Sequence, residues 1–282
     1  MIRSDNHVHT SFSADSSTPM QAMIQRAMEL GLSSLCFTDH IDYGFPSDYY
    51  HMDFLFSIED YFKTIQNLSE EYPSIQIRTG IELGLKCDSA KEIMAVPKLY
   101  PFDFVIGSTH LVNNLDPYYE EYWETYGEEN GISLYYETTY QNIQMNFDFD
   151  VYGHIDYIIR YCPAIRKAQK ADSNNEAFYQ HMINKNKEIL DEILLALIHS
   201  QKGIEVNTAG LKYGLGHPNP HEKIIKRYHE LGGTILTAGS DAHETRHLAF
   251  SFEKLPKLLL ACGFKHYTEF HKRRPVEVPC IF

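Results

Sequence analysis

Asp5-Asn6-His7-Val8-His9-Thr10 is the most informative pattern in this chain. It ends a short segment near the N-terminus that is predicted to be a buried strand. Side chains alternate across an extended strand, so His7 and His9 face the same side. Two imidazoles on one side of a strand can bind one metal ion. The pattern therefore predicts a metal-binding strand at the start of the fold.

Seven segments of this kind are predicted along the chain: residues 2–8, 34–38, 75–83, 102–108, 151–155, 203–207 and 233–238. Stretches with helical periodicity lie between them, and the clearest is 175–199, with its stripe of Ile and Leu. Alternating strands and helices predict an α/β fold with a parallel sheet. Seven strands favour a closed or nearly closed barrel in one domain over residues 1–282. Two aromatic segments, 42–56 and 112–131, are predicted to be long loops that line a binding site.

Functional side chains of parallel α/β folds lie at the C-terminal ends of the strands. The residues at or after the successive predicted strand ends are His7 and His9, Asp39 and His40, Glu82, His110, His154, Asn207, and Asp241 and His243. A single histidine of this kind is more often structural, but independent structural histidines have no reason to recur at one end of successive strands. Nitrogen and oxygen ligands suit Zn²⁺, Fe²⁺ or Mn²⁺. The set is too large for one ion and predicts two or three.

The composition excludes some classes of protein. The chain has 282 residues, with 25 Lys and Arg against 38 Asp and Glu, a formal charge of −13. This charge argues against binding nucleic acid through a broad basic face, although bound metals can still attract an anionic substrate. No apolar run is long enough for a membrane span, and the N-terminus has no signal-peptide pattern. Five scattered cysteines without a C-x-x-C motif predict a reduced, cytoplasmic protein.

Five motifs resemble those of the PHP (polymerase and histidinol phosphatase) superfamily, in the same order. They are Asp5-Asn6-His7-Val8-His9-Thr10, Thr38-Asp39-His40, Gly107-Ser108-Thr109-His110, Gly153-His154-Ile155-Asp156 and Ser240-Asp241-Ala242-His243. Residues 153–161 and 205–211 are further similar to the monofunctional histidinol-phosphate phosphatases of that superfamily. The resemblance implies a distorted (β/α)7 barrel, similar to a TIM barrel, with a trinuclear metal site at the C-terminal ends of the strands.

The resemblance also implies a ligand set for each metal. One ion would bind His7, His9, Glu82 and Asp241, and a second would share Glu82 and add His110 and His154. The third would bind His40, His243 and Asp15, a position at which many relatives have histidine. Glu82, Asp241 and His243 are the candidate catalytic residues, and Asp5 and Asp39 are expected to orient the ligating imidazoles.

The activity implied by the resemblance is hydrolysis of a phosphate monoester, most specifically L-histidinol phosphate in histidine biosynthesis. Arg160 is the candidate for phosphate recognition, because it follows His154 closely and a guanidinium matches phosphate oxygens. Lys212 and Arg246 are weaker candidates. A metal-bound water, His243 or a loop carboxylate would serve to protonate the leaving group. Three alternatives stay open: a PHP phosphodiesterase or nucleotide phosphatase, a protein-tyrosine phosphatase of the superfamily, and a non-catalytic metal-binding module. No oligomeric state is predicted.

Overall fold

The computed structural model describes residues 2–171 and 176–280. The strands are β1 (Ser4–Val8), β2 (Ser34–Phe37), β3 (His40–Ile41), β4 (Gln76–Gly84), β5 (Phe104–Ser108), β6 (Val151–Tyr152), β7 (Gly203–Asn207), β8 (Leu236–Gly239), β9 (His266–His271) and β10 (Arg274–Pro279). The α-helices are α1 (Met20–Glu29), α2 (Ser47–Tyr50), α3 (Ile58–Glu71), α4 (Ala90–Leu99), α5 (Glu120–Tyr126), α6 (Glu128–Gln144), α7 (Pro163–Lys170), α8 (Glu176–Lys185), α9 (Lys187–His199), α10 (Ala209–Lys212), α11 (Glu222–Glu230) and α12 (Leu255–Ala261). Short 3₁₀-helices span Cys87–Ser89, Tyr157–Tyr161, Thr245–His247 and Phe252–Lys254. Within the described residues, no helix is both long enough and apolar enough to cross a membrane.

The central sheet is parallel and closes on itself. Its strand order is β1-β2-β4-β5-β6-β7-β8, and the short β3 also pairs with β4. Beyond β8 the chain returns to β1: the Asp241 N–H donates to the His7 carbonyl at 2.9 Å, and the His9 N–H donates to the Ala242 carbonyl at 2.9 Å. The predicted α/β fold, a distorted (β/α)7 barrel similar to a TIM barrel, is therefore confirmed, and its main apolar core lies between the strands and the surrounding helices.

Some predicted boundaries are wrong. The last barrel strand begins at Leu236 rather than at residue 233, because Gly232 has a φ of +97° and Gly233 packs directly against the Tyr228 ring. The helix predicted for 175–199 is two helices, α8 and α9, divided at Asn186, while Asn175 lies outside the described residues. The segment 112–131 is only partly a loop, since it is helical from Glu120 to Tyr126 and again from Glu128.

The hairpin formed by β9 and β10 covers the N-terminal end of the barrel, and the sequence analysis missed it. The buried Arg78 guanidinium in β4 donates to the Phe270 carbonyl at 3.0 Å. The Leu236 N–H at the start of β8 donates to Thr268 Oγ1 at 3.2 Å, and Arg273 Nε donates to Asp150 Oδ2 at 2.6 Å. These bonds tie the hairpin to three parts of the barrel and leave the opposite, C-terminal end to hold the site.

Candidate metal centre

Histidines and carboxylates from several strand ends meet at the C-terminal end of the barrel. The first group contains His7 and His9 from the end of β1, whose Nε2 atoms lie 2.9 Å apart. His7 Nε2 is 3.2 Å from Glu82 Oε2, and His9 Nε2 is 3.3 Å from Asp241 Oδ1. All four side chains are buried. The four atoms are therefore close enough to share one ion.

Hydrogen bonds on the far side of each ring fix which nitrogen faces the cluster. His7 Nδ1 lies 2.6 Å from Glu205 Oε1. His9 Nδ1 lies 3.0 Å from Ser13 Oγ, whose own hydrogen is donated to Asp39. Both Nδ1 atoms therefore carry a proton, and both Nε2 lone pairs point at each other and at carboxylate oxygens. Such a convergence of acceptors in a buried site is unfavourable without a cation, so the donor set fits a divalent metal ion.

The pKa values of the histidines in the first group also indicate a site suited to a cation. Burial lowers the pKa of His7, but Glu205 and Glu82 outweigh burial and raise this pKa well above its ordinary value. Burial lowers the pKa of His9 to about 3, and the neighbouring His243 adds to this effect. The carboxylates thus stabilise a positive charge in the cluster. A bound metal ion would supply this charge while the imidazole nitrogens that face it stay unprotonated.

Glu82 connects the first group to a second one. Its Oε1 atom lies 3.0 Å from His154 Nε2 and 3.3 Å from His110 Nε2, while its Oε2 atom faces the first group. The Ser108 hydroxyl donates to Oε1 at 2.6 Å and fixes the carboxylate. Burial acts to raise the pKa of Glu82, but His7 and His110 reverse this and hold it well below its ordinary value. One ionised carboxylate therefore faces two ligand groups, as a bridging ligand must.

Asp15 lies between two further histidines. Its Oδ1 atom is 3.1 Å from His40 Nε2 and its Oδ2 atom is 3.1 Å from His243 Nε2. The His243 ring stacks on His9 with 4.1 Å between centroids, so this third group adjoins the first. The Asp15 side chain is 36% exposed, and this is the most open part of the cluster. The structure thus brings together the three side chains that the resemblance assigns to a third metal.

Asp42 orients two imidazoles at once, and the sequence analysis gave it no role. Its Oδ2 atom lies 2.9 Å from His40 Nδ1 and its Oδ1 atom 2.7 Å from His110 Nδ1. Both histidines therefore turn Nε2 into the cluster. A Cβ at Gly84 would come within 1.5 Å of Asp42 Oδ1, so only glycine leaves room for this carboxylate.

Glu205 orients one imidazole and also holds the backbone of a second ligand. It is buried in β7, and its Oε1 atom bonds the His7 ring while its Oε2 atom accepts the His154 N–H at 3.1 Å. A carboxylate in an apolar strand is costly to bury without a partner, and this signal in the sequence of β7 would have pointed to Glu205.

Asp5 and Asp39, which were expected to orient the ligating imidazoles, mainly accept backbone N–H groups. Asp5 accepts the backbone N–H groups of Ser240 and Ala249, each at 2.9 Å. Asp39 accepts the Thr10 N–H at 2.6 Å and reaches His9 only through Ser13. Both carboxylates hold the loops that carry ligands, because these turning loops have backbone N–H groups that no strand partner accepts.

A cavity of about 320 Å³ opens over the cluster. Arg160 lines it from the 3₁₀-helix that follows β6, and its Nη1 atom lies 3.6 Å from Asp241 Oδ2. The guanidinium packs against the rings of Tyr161 and Tyr213, at 4.8 and 4.7 Å from their centroids. Its buried Nε and Nη1 atoms have no hydrogen-bond partner within the described part of the chain.

The two weaker cation candidates differ in position. Lys212 is near the cluster, and its Nζ donates to the Asp241 carbonyl at 3.1 Å. Arg246 is exposed and pairs with Glu244 at 2.9 Å, outside the cavity lining. Arg160 is therefore the only one of the three cation candidates that lines the cavity over the cluster.

The fold and the site together define an α/β barrel protein with a histidine–carboxylate centre suited to divalent metals. A family model described as "PHP domain" matches residues 5–209, and the chain belongs to this family. A histidinol-phosphatase of Lactococcus lactis is 31% identical over 274 residues, which cover 96% of this chain and 95% of the relative. A probable histidinol-phosphatase of Clostridium acetobutylicum is 30% identical over 93% of this chain and 94% of the relative.

A solved structure agrees with these matches. The crystal structure of histidinol phosphate phosphatase from Lactococcus lactis, complexed with zinc, L-histidinol and phosphate, has a TM-score of 0.82 and 29% identity to this chain. The match covers 97% of this chain and 98% of that chain. The similarity therefore extends over the whole barrel.

Asp42→Asn is expected to weaken metal binding by about 10- to 100-fold. An amide oxygen can accept one Nδ1–H, but the amide NH₂ would then face the Nδ1–H of the second ring, so His40 or His110 must turn away or change tautomer. Metal affinity is measured by competition with a chromophoric chelator. Asp53→Asn is the matched control, because Asp53 is exposed on the same loop. An unchanged affinity for Asp42→Asn would show that the two rings need no carboxylate to orient them.

Proposed function

We propose that this protein is a metal-dependent phosphomonoesterase that converts L-histidinol phosphate to L-histidinol and phosphate in histidine biosynthesis. The observation that carries the proposal is the position of Arg160, which lines one cavity together with a buried histidine–carboxylate centre and has its Nη1 atom 3.6 Å from Asp241 Oδ2. This combination suits a phosphate group, because a guanidinium and divalent cations can both bind its oxygens. The relatives named above support the choice of substrate, and the five free cysteines fit a cytoplasmic location.

We infer the three ligand sets that the resemblance implies, and the distances in the cluster support them. His7, His9, Glu82 and Asp241 would hold one ion, Glu82, His110 and His154 a second, and Asp15, His40 and His243 a third. The chemistry of the donors suits Zn²⁺, Fe²⁺ or Mn²⁺. When bound, such ions would activate water as the nucleophile and neutralise charge on the phosphoryl group.

The side chains of the protein supply the remaining steps. Arg160 binds the phosphoryl oxygens and keeps the phosphorus beside the centre. Asp241, 3.6 Å from the guanidinium, holds Arg160 towards the cluster. Glu82 keeps two ligand groups in a fixed relation. His243 lines the cavity, partly exposed, and belongs to the third ligand set.

Phosphate release from a panel of esters tests the proposal. The panel contains L-histidinol phosphate, an aryl monoester, an aryl diester and a mononucleotide, each assayed with Mn²⁺ or Zn²⁺ and with a chelator. We expect the highest kcat/KM for L-histidinol phosphate and loss of all activity with the chelator. Preference for the diester or the nucleotide would overturn the substrate. No turnover with metal loaded would favour the non-catalytic module.

A further inference from the structure

The Asp116 carboxylate lines the cavity, and the mechanism above does not use it. Its Oδ1 atom accepts the Tyr118 N–H at 2.8 Å. No described residue forms an ion pair with this carboxylate or donates a hydrogen bond to its Oδ2 atom. The backbone is held separately, because the Asp116 N–H donates to the Tyr50 hydroxyl at 3.1 Å. One oxygen of a fixed carboxylate thus remains available to a ligand.

Aromatic side chains surround this part of the cavity. The aromatic residues of its lining are Phe45, Phe54, Tyr118, Tyr119, Tyr157 and Tyr161. Tyr119 is held in place by Tyr50, whose ring stacks on it with 4.4 Å between centroids. Aromatic faces attract organic cations, and they also accommodate a flat heteroaromatic ring.

The cavity contains groups that suit an anion and one carboxylate that suits a cation. The metal-binding cluster and Arg160 suit an anion. Asp116 suits a cation, since burial raises its pKa to about 6 and the Tyr118 N–H, His110 and Arg160 only partly offset this. A positively charged ligand would remove the cost of ionising the carboxylate there. The cavity therefore fits a molecule with a phosphate at one end and a positive charge at the other.

We propose that Asp116 is a specificity-determining residue, whose carboxylate binds a positively charged nitrogen group on the alcohol portion of the substrate. The proposal rests on the proposed function, because L-histidinol phosphate carries such groups: an ammonium and an imidazole that can be protonated. Phosphate esters whose alcohol portion carries no positive charge reach the centre without this contact.

Three alkyl phosphates and two variants test the proposal. The substrates are L-histidinol phosphate, its analogue without the amino group, and 3-phenylpropyl phosphate, which has neither nitrogen group. Asp116→Asn removes the charge and keeps an acceptor for the Tyr118 N–H. Glu120→Gln is the control, because it removes the same charge from an exposed position nearby. Metal content and melting temperature are measured for each variant.

We expect Asp116→Asn to lower kcat/KM for L-histidinol phosphate by about 10- to 100-fold, the value of one hydrogen bond to a charged group. Its effect on 3-phenylpropyl phosphate should be less than about 3-fold by the same reasoning. If Asp116→Asn leaves kcat/KM for the deaminated analogue unchanged, the ammonium is the group that Asp116 binds. If the substitution lowers kcat/KM for this analogue as much as for L-histidinol phosphate, the bound group is the imidazolium. Both results support the proposal.

Two outcomes would overturn it. An equal loss on all three esters would make Asp116 a proton donor to the leaving group or a structural residue. No loss on any ester would show that the carboxylate does not touch the substrate. Failure of the proposed function is seen separately, as a wild-type protein that does not prefer L-histidinol phosphate to 3-phenylpropyl phosphate.

Discussion

Glu82→Gln is expected to lower kcat by at least about 10³-fold and to reduce the number of bound metal ions. The carboxylate faces His7 and His9 with one oxygen and His110 and His154 with the other. An amide cannot replace it, because its NH₂ group would point hydrogens at one of these two groups. The substitution also removes the buried negative charge that offsets two metal ions. Metal analysis of the purified variant and single-turnover assays at saturating Mn²⁺ measure the two effects.

The control for this experiment is Glu70→Gln, since Glu70 is exposed on the outer helix α3. Both variants should show similar far-UV circular dichroism if the barrel forms without the bridging carboxylate. Near-normal turnover by Glu82→Gln with a full metal complement would exclude Glu82 as a bridging ligand and would require a different division of the cluster.

The barrel could be predicted because two local signals agree along the chain. Most barrel strands are short and buried, and a helix lies between each strand of the barrel order and the next, so few topologies are permitted. The β9–β10 hairpin was missed because Thr268 and Glu269 interrupt its apolar pattern, and the reason for their burial lies elsewhere in the chain. Thr268 bonds the Leu236 N–H of β8, a contact that no pattern within residues 266–279 reveals.

The cluster could be predicted because parallel strands end at one rim, so residues at strand ends meet whatever their separation in sequence. The groups that orient the imidazoles could not be predicted in the same way. Asp42 lies in an irregular loop, and its importance appears only when the loop folds over Gly84. Asp241 was expected at a strand end, but its backbone conformation was not. Its φ of +53° is in the left-handed region, which sequence periodicity does not show.

The position of Arg160 in the cavity was expected. The lack of hydrogen-bond partners for its Nε and Nη1 atoms among the described residues was not. Buried guanidinium groups usually have their hydrogen bonds satisfied by acceptors in the protein. Arg160 instead lies 3.6 Å from the Asp241 carboxylate and packs against the Tyr161 ring, and its Nε and Nη1 atoms have no hydrogen-bond partner in the described residues. This arrangement is suited to a ligand that brings its own oxygen atoms.

Arg160→Ala is expected to lower kcat/KM for L-histidinol phosphate by about 10²- to 10³-fold, as two hydrogen bonds to a charged group are lost. Most of the change should appear in KM, and the inhibition constant of inorganic phosphate should rise by a similar factor, because the guanidinium binds the phosphate of substrate and product alike. Metal content should not change. Steady-state kinetics with phosphate as a competitive inhibitor provide both values.

Arg166→Ala is the matched control for Arg160→Ala. Arg166 also stacks on Tyr161, at 5.0 Å from the ring centroid, but it lies outside the cavity lining. Arg160→Lys separates charge from geometry, since lysine keeps the positive charge but lacks the forked donors. Partial recovery with lysine would mean that attraction of the anion contributes alongside bidentate binding. Unchanged phosphate inhibition in Arg160→Ala would remove Arg160 from the phosphate site and leave phosphate binding to the metal ions alone.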